Sequence, residues 1–230
     1  MIATTLKTTK GKLLVKIPTN IKEVTLGQMM AMQAEPLLND LDAISILSDI
    51  PVEELQNVLD FRDFNIFGEA VVFLSNQIKH LYNSDNIPSK VAFDIDGKIL
   101  NVNVIRNLSV EPAGAFMAAR DIIAEEINEH ISLYGEEDWQ ERFNPSLKAS
   151  CKVLAQYFYC RVTGEKYNEY KIEEFCETIK KLRVTEALPI AKYFFMSYPN
   201  LLKRKTNYFR QLHLFWKRKR AFNRLKSSSI

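Results

Sequence analysis

Acidic side chains are missing altogether from the last 44 residues, Ala187 to Ile230, and cysteine, histidine and glycine are scarce throughout. The three cysteines, Cys151, Cys160 and Cys176, are odd in number and lie nine and sixteen residues apart. That excludes the even, closely spaced framework of a small secreted domain and predicts a reducing compartment. His80, His130 and His213 stand singly, so no C-x-x-C or H-x-x-x-H ligand pair occurs and no bound metal is expected. The seven glycines are scattered, which leaves neither a phosphate-binding loop nor a dinucleotide fingerprint, and G-x-S-x-G is absent. No run approaches the ~20 apolar residues that span a bilayer, and the N-terminus lacks the apolar core of a signal peptide. The expectation is a soluble cytoplasmic protein, not an enzyme, with no cofactor.

What is present is a segregated charge. Eleven Lys or Arg fall in 187–230 and ten of them lie between Lys203 and Lys226, so residues 1 to 186 carry 20 basic against 28 acidic side chains, or −8, although the whole chain is +3. From Leu201 onward Leu202, Tyr208, Phe209, Leu212, Phe215, Trp216, Phe222 and Leu225 recur near every third or fourth position. Residues 203–230 therefore read as a basic amphipathic helix appended to the body. Its candidate partner-binding residues are Lys203, Arg204, Lys205, Arg210, Phe215, Trp216, Lys217, Arg218, Lys219, Arg220 and Arg224. Three uses fit them: phosphate contacts with Phe215 and Trp216 stacking on bases, attachment to a membrane surface, or packing of the apolar stripe on a protein partner or on the body itself with the basic face left wet. The structural or protein-partner use is favoured and the membrane use least.

The rest of the chain predicts an α+β fold, mainly α-helical, in one domain over 13–202 behind a flexible N-terminus, 1–12. Leu13, Val15 and Ile17 alternate on one face before Pro18, as in an edge strand. Thr25 and Gln28 form a capping box for a helix reaching about Glu35. Further helices are expected over about 39–48, from Pro51, and over about 64–81. The clearest local signal is Val91 to Val102, part of a β-hairpin over about 91–104 whose Asp96-Gly97 loop suits a type I′ turn and pairs Ile95 with Lys98, Phe93 with Leu100 and Val91 with Val102. Its apolar face needs a cover, expected from the flanking helices. Ser109 is expected to cap a helix over about 110–134 ended by Gly135, followed by helices from Asn144-Pro145 to about Val162, over 171–182, and from Thr185 with Pro189 in the first turn.

Acidic groups at Asp94 and Asp96, and at Glu136, Glu137 and Asp138, lack the ordered spacing of a calcium loop and read as solvated turns. Glu125-Glu126 and Glu173-Glu174 read as exposed helix faces. Met29, Met30 and Met32 either fill the core, the favoured reading, or offer an adaptable contact surface.

The segment Ile17-Pro18-Thr19-Asn20-Ile21-Lys22-Glu23-Val24-Thr25-Leu26-Gly27-Gln28 resembles the start of a group of tailed-bacteriophage virion morphogenesis proteins. Three further landmarks follow in the same order: Ile46 to Leu55, Phe93 to Lys98, and Glu186 to Phe195. The likeness spans about residues 13 to 202 and its motifs are short. It implies a role similar to tail or baseplate assembly chaperones, which bind structural subunits in the host cytoplasm and carry no active site. Some such proteins are instead virion components, at a head-tail connector or in the head interior. For that alternative, the basic segment after Leu202 would meet DNA or an acidic protein surface.

Overall fold

The computed structural model describes residues 1–35, 38–78, 86–107, 110–137 and 139–197. The chain opens with a hairpin rather than a lone edge strand: β1 (Ile2–Thr8) pairs antiparallel with β2 (Gly11–Ile17), Leu6 opposite Leu13 and Ile2 opposite Ile17. Residues 1–12, expected to be flexible, are thus ordered by the partner strand. Backbone bonds Leu59 N–H to Lys7 O (2.9 Å) and Thr9 N–H to Asn57 O (3.0 Å) fasten the same hairpin from outside. Leu6, Val15 and Ile17 are buried beneath it.

Helix α1 (Leu26–Ala34) starts where its capping box requires, Thr25 Oγ1 accepting from Gln28 N–H and Gln28 Oε1 accepting from Thr25 N–H. Helices α2 (Asp40–Ser48), capped by Asn39, and α3 (Val52–Leu55), starting after Pro51, follow, and α2 closes on Asp49 in the left-handed region at φ 55°. A 3-10 turn over Phe61–Phe64 leads into α4 (Asn65–Ile78). The second hairpin, β3 (Lys90–Ile95) and β4 (Lys98–Asn103), has the register its two-residue loop dictates, with Asp96 and Gly97 at φ 52° and 77°. Its cover comes from far along the chain. The Phe93 ring lies 5.0 Å from Phe158 and 6.3 Å from Phe175, centroid to centroid.

Helix α5 (Ala113–Tyr134) begins after Pro112, later than a Ser109 cap would allow, and stops at Gly135 (φ 89°). The short α6 (Trp139–Arg142) has no counterpart in the sequence reading. Helix α7 (Leu147–Thr163) is capped by Ser146 and ends at Gly164, and α8 (Glu169–Lys180) is capped by Asn168. The last described helix, α9, spans 184–197. Its start is set by a tertiary strap, Val184 N–H to Val24 O (2.9 Å) and Leu26 N–H to Leu182 O (2.8 Å), so Pro189 sits inside the helix instead of in its first turn.

The core is built around α7, whose apolar residues face every direction and are buried on every side. Phe158 packs on the β3–β4 hairpin, Tyr159 on Phe175 of α8, and Tyr157 on Phe194 of α9. Fully burying each such ring contributes about 1.5–3 kcal/mol. Two glycines permit the closest approaches: a Cβ at Gly27 would stand 3.0 Å from Lys180 Cβ, and one at Gly114 only 2.5 Å from the Tyr167 ring.

Candidate protein-binding surface

The eleven basic and aromatic residues singled out between Lys203 and Arg224 lie outside the described residues. Of the methionines, Met29 is buried and Met30 and Met32 pack half-buried against the core, in line with core filling. Asp94 is used locally, its carboxylate accepting the Gly97 N–H at 3.0 Å, as a hairpin turn requires. Among the described residues no three His, Cys, Asp or Glu side chains converge as metal ligands, and no helix is long and apolar enough to cross a membrane.

The surface feature that sequence reasoning missed lies on the 3-10 turn and α4. Phe64, Phe67, Ala70 and Leu74 face the core, while Leu59, Phe61, Ile66, Val72 and Phe73 are between 50% and 64% exposed. Ile66 and Phe73, seven residues apart, lie two turns apart on one side of the helix, and Val72 sits beside Phe73. Phe61 reaches back to Phe64, with ring centroids 5.8 Å apart. At the start of this surface Asp60 pairs with Arg62, accepting from its Nε and Nη2, while Asp63 adds a further negative charge. That pairing holds the Asp60 carboxyl below its ordinary range. A signal existed in the sequence: 64–74 is apolar on more sides than one core-facing stripe can use.

A second polar cluster is structural. Glu111, its side chain only 3% exposed, accepts from Arg161 Nε at 2.8 Å and from Arg161 Nη2. The guanidinium lies 4.7 Å from the Tyr157 ring centroid. Tyr157 in turn donates to Ile105 O (2.8 Å) and accepts from Ile105 N–H (2.5 Å), so the connection between β4 and α5 is pinned onto α7. Burial pushes the Glu111 carboxyl above its ordinary range, and Arg161 partly offsets it. In the same C-terminal part of α7, burial and then Glu165 push the Tyr159 hydroxyl up to about 12, while Lys171 and then Tyr159 hold the Glu165 carboxyl down. These contacts order loops, and none of them frames a concave site for a substrate.

Large apolar side chains exposed together on a folded chain are the kind of surface that often marks an interaction site. The chain matches no protein-family model, no curated protein and no solved structure.

Proposed function

We propose that this chain is a non-enzymatic phage assembly protein, acting like a tail or baseplate assembly chaperone that binds virion structural subunits in the host cytoplasm. The observation that carries the reading is the exposed face of Leu59, Phe61, Ile66, Val72 and Phe73. A chaperone of this kind must offer apolar surface to an unassembled subunit, and patches of that sort on a folded protein mark interaction sites. The resemblance of four segments between Ile17 and Phe195 to tailed-phage morphogenesis proteins supplies the class of partner. Replacing Phe61 and Phe73 together by Glu tests it. The variant is expected to keep its melting temperature, because both side chains are largely in water, and to lose co-purification with tail or baseplate subunits from infected cells. Undiminished co-purification would overturn the assignment of this face.

A second reading is favoured by the acid-free, basic segment after Ala187. In it the chain is a structural protein of the virion, at a connector or in the head interior, whose basic residues meet DNA or an acidic protein ring. Quantitative mass spectrometry of purified particles beside infected-cell lysate separates the two. An assembly factor is abundant in lysate and absent from particles; a structural component keeps a constant ratio to the major subunits.

A further inference from the structure

Cys151 on α7 and Cys176 on α8, 25 residues apart in sequence, meet where the two helices pack. The Cys151 thiol donates to the backbone oxygen of Cys176, with Sγ and oxygen 3.7 Å apart, and the two thiols lie close enough to act on each other electrostatically. Both thiols are free. They differ in access: Cys151 is 2% exposed, whereas Cys176 is half-buried and lines a cavity of about 380 Å³ between α5, α7 and α8. Beside Cys176, the cavity wall carries Lys152, Asp121, Glu169, Glu173 and Gln156. Gln156 is 9% exposed, with its Oε1 shut away from solvent.

We propose that Cys151 and Cys176 form an oxidisable thiol pair, with Cys176 the sulfur that meets a small peroxide in this cavity and Cys151 the thiol that resolves it. The thiolate of Cys176 attacks one peroxide oxygen, the O–O bond breaks, hydroxide leaves, and Cys176 becomes a sulfenic acid oxidised by two electrons. The Cys151 sulfur then attacks Cys176 sulfur, the S–OH bond breaks, and water departs with the Cys151 proton, leaving a disulfide that ties α7 to α8. The electrostatics favour this division of labour. The neighbouring Cys151 thiol lowers the Cys176 thiol against the opposing effect of burial, with Lys180 and Lys152 helping and Glu177 opposing. The same contact and burial raise Cys151. Cys160, raised by burial and then by Glu111, lacks such a partner thiol. This inference stands apart from the assembly reading, since it needs only the packing of α7 on α8.

The test uses the full chain, reduced, desalted and exposed to hydrogen peroxide under native conditions. The expected result is a mass loss of about 2 Da, two hydrogens, reversed by dithiothreitol. A non-reducing peptide map should join Cys151 to Cys176 and leave Cys160 open to alkylation. In Cys151→Ser the sulfenic acid persists and dimedone labels Cys176. Recovery of both Cys151 and Cys176 as free thiols after oxidation, or first labelling at Cys160, overturns the proposal. The wild-type map decides the matter even if the variant fails to fold.

Discussion

Removing the Arg161 side chain, as Arg161→Met, is the sharpest probe of how this core tolerates charge. Glu111 is left with its side chain 3% exposed and without the two guanidinium donors it now accepts from. Breaking one side of a buried ion pair costs about 3–5 kcal/mol, because the remaining charge stays buried and unpaired. Loss of the guanidinium over the Tyr157 ring adds ~0.5–2 kcal/mol. Against a total stability of about 5–15 kcal/mol this is a large fraction. For a chain of this size each kcal/mol shifts the midpoint by about 2–4 °C, so melting is expected roughly 7–28 °C lower at neutral pH. The pH dependence has a definite sign. Burial already raises the Glu111 carboxyl and Arg161 opposes that, so the variant raises it further. A carboxyl whose folded pKa exceeds its unfolded value contributes stability that is full below the unfolded pKa and is lost as pH rises through the folded one. The gap between variant and wild type should therefore be widest near neutrality and narrow on acidification. Guanidinium unfolding followed by far-UV circular dichroism at about pH 7 and about pH 5 measures it. A variant within about 1 kcal/mol of wild type at neutral pH, or a gap unchanged between the two conditions, would refute the reasoning, and Glu111→Leu with Arg161→Met should recover most of the loss.

Three further outcomes follow from the packing. Phe158→Ala, at a fully buried ring against Phe93 and Tyr157, is expected to cost about 3–5 kcal/mol by denaturant unfolding. Gly114→Ala would place a methyl 2.5 Å from the Tyr167 ring and should cost ~1–3 kcal/mol, a penalty relieved in Gly114→Ala with Tyr167→Ala. Thr25→Ala removes the acceptor for Gln28 N–H and should lower stability by about 0.5–2 kcal/mol, whereas Thr25→Ser, which keeps the oxygen, should recover most of it.

Features readable in the residues alone were those closed by neighbours in the chain. The Asp96-Gly97 loop admits one register, so the pairing of β3 with β4 followed from two residues and the alternation beside them. The capping box of α1 and the Gly135 stop of α5 are likewise hydrogen bonds made within a few residues. Other features needed partners that no local pattern names. Strand β1 has only Leu6 buried and a run of threonines, and it forms because β2 and the Val58 segment pair with it. The start of α9 is set by bonds to Val24 and Leu26, more than 150 positions away, which is why a proline could be absorbed inside the helix. The Glu111–Arg161 pair joins a loop to α7 and the Cys151–Cys176 contact joins α7 to α8, each across many positions of sequence. Helix α4 shows the division most plainly: its composition says that it is apolar nearly all round, but only the packing of Phe67, Ala70 and Leu74 decides that Ile66, Val72 and Phe73 are left in water. Local hydrogen bonding and periodicity act through the nearest few residues and survive in any environment, whereas burial is a property of what the rest of the chain brings alongside.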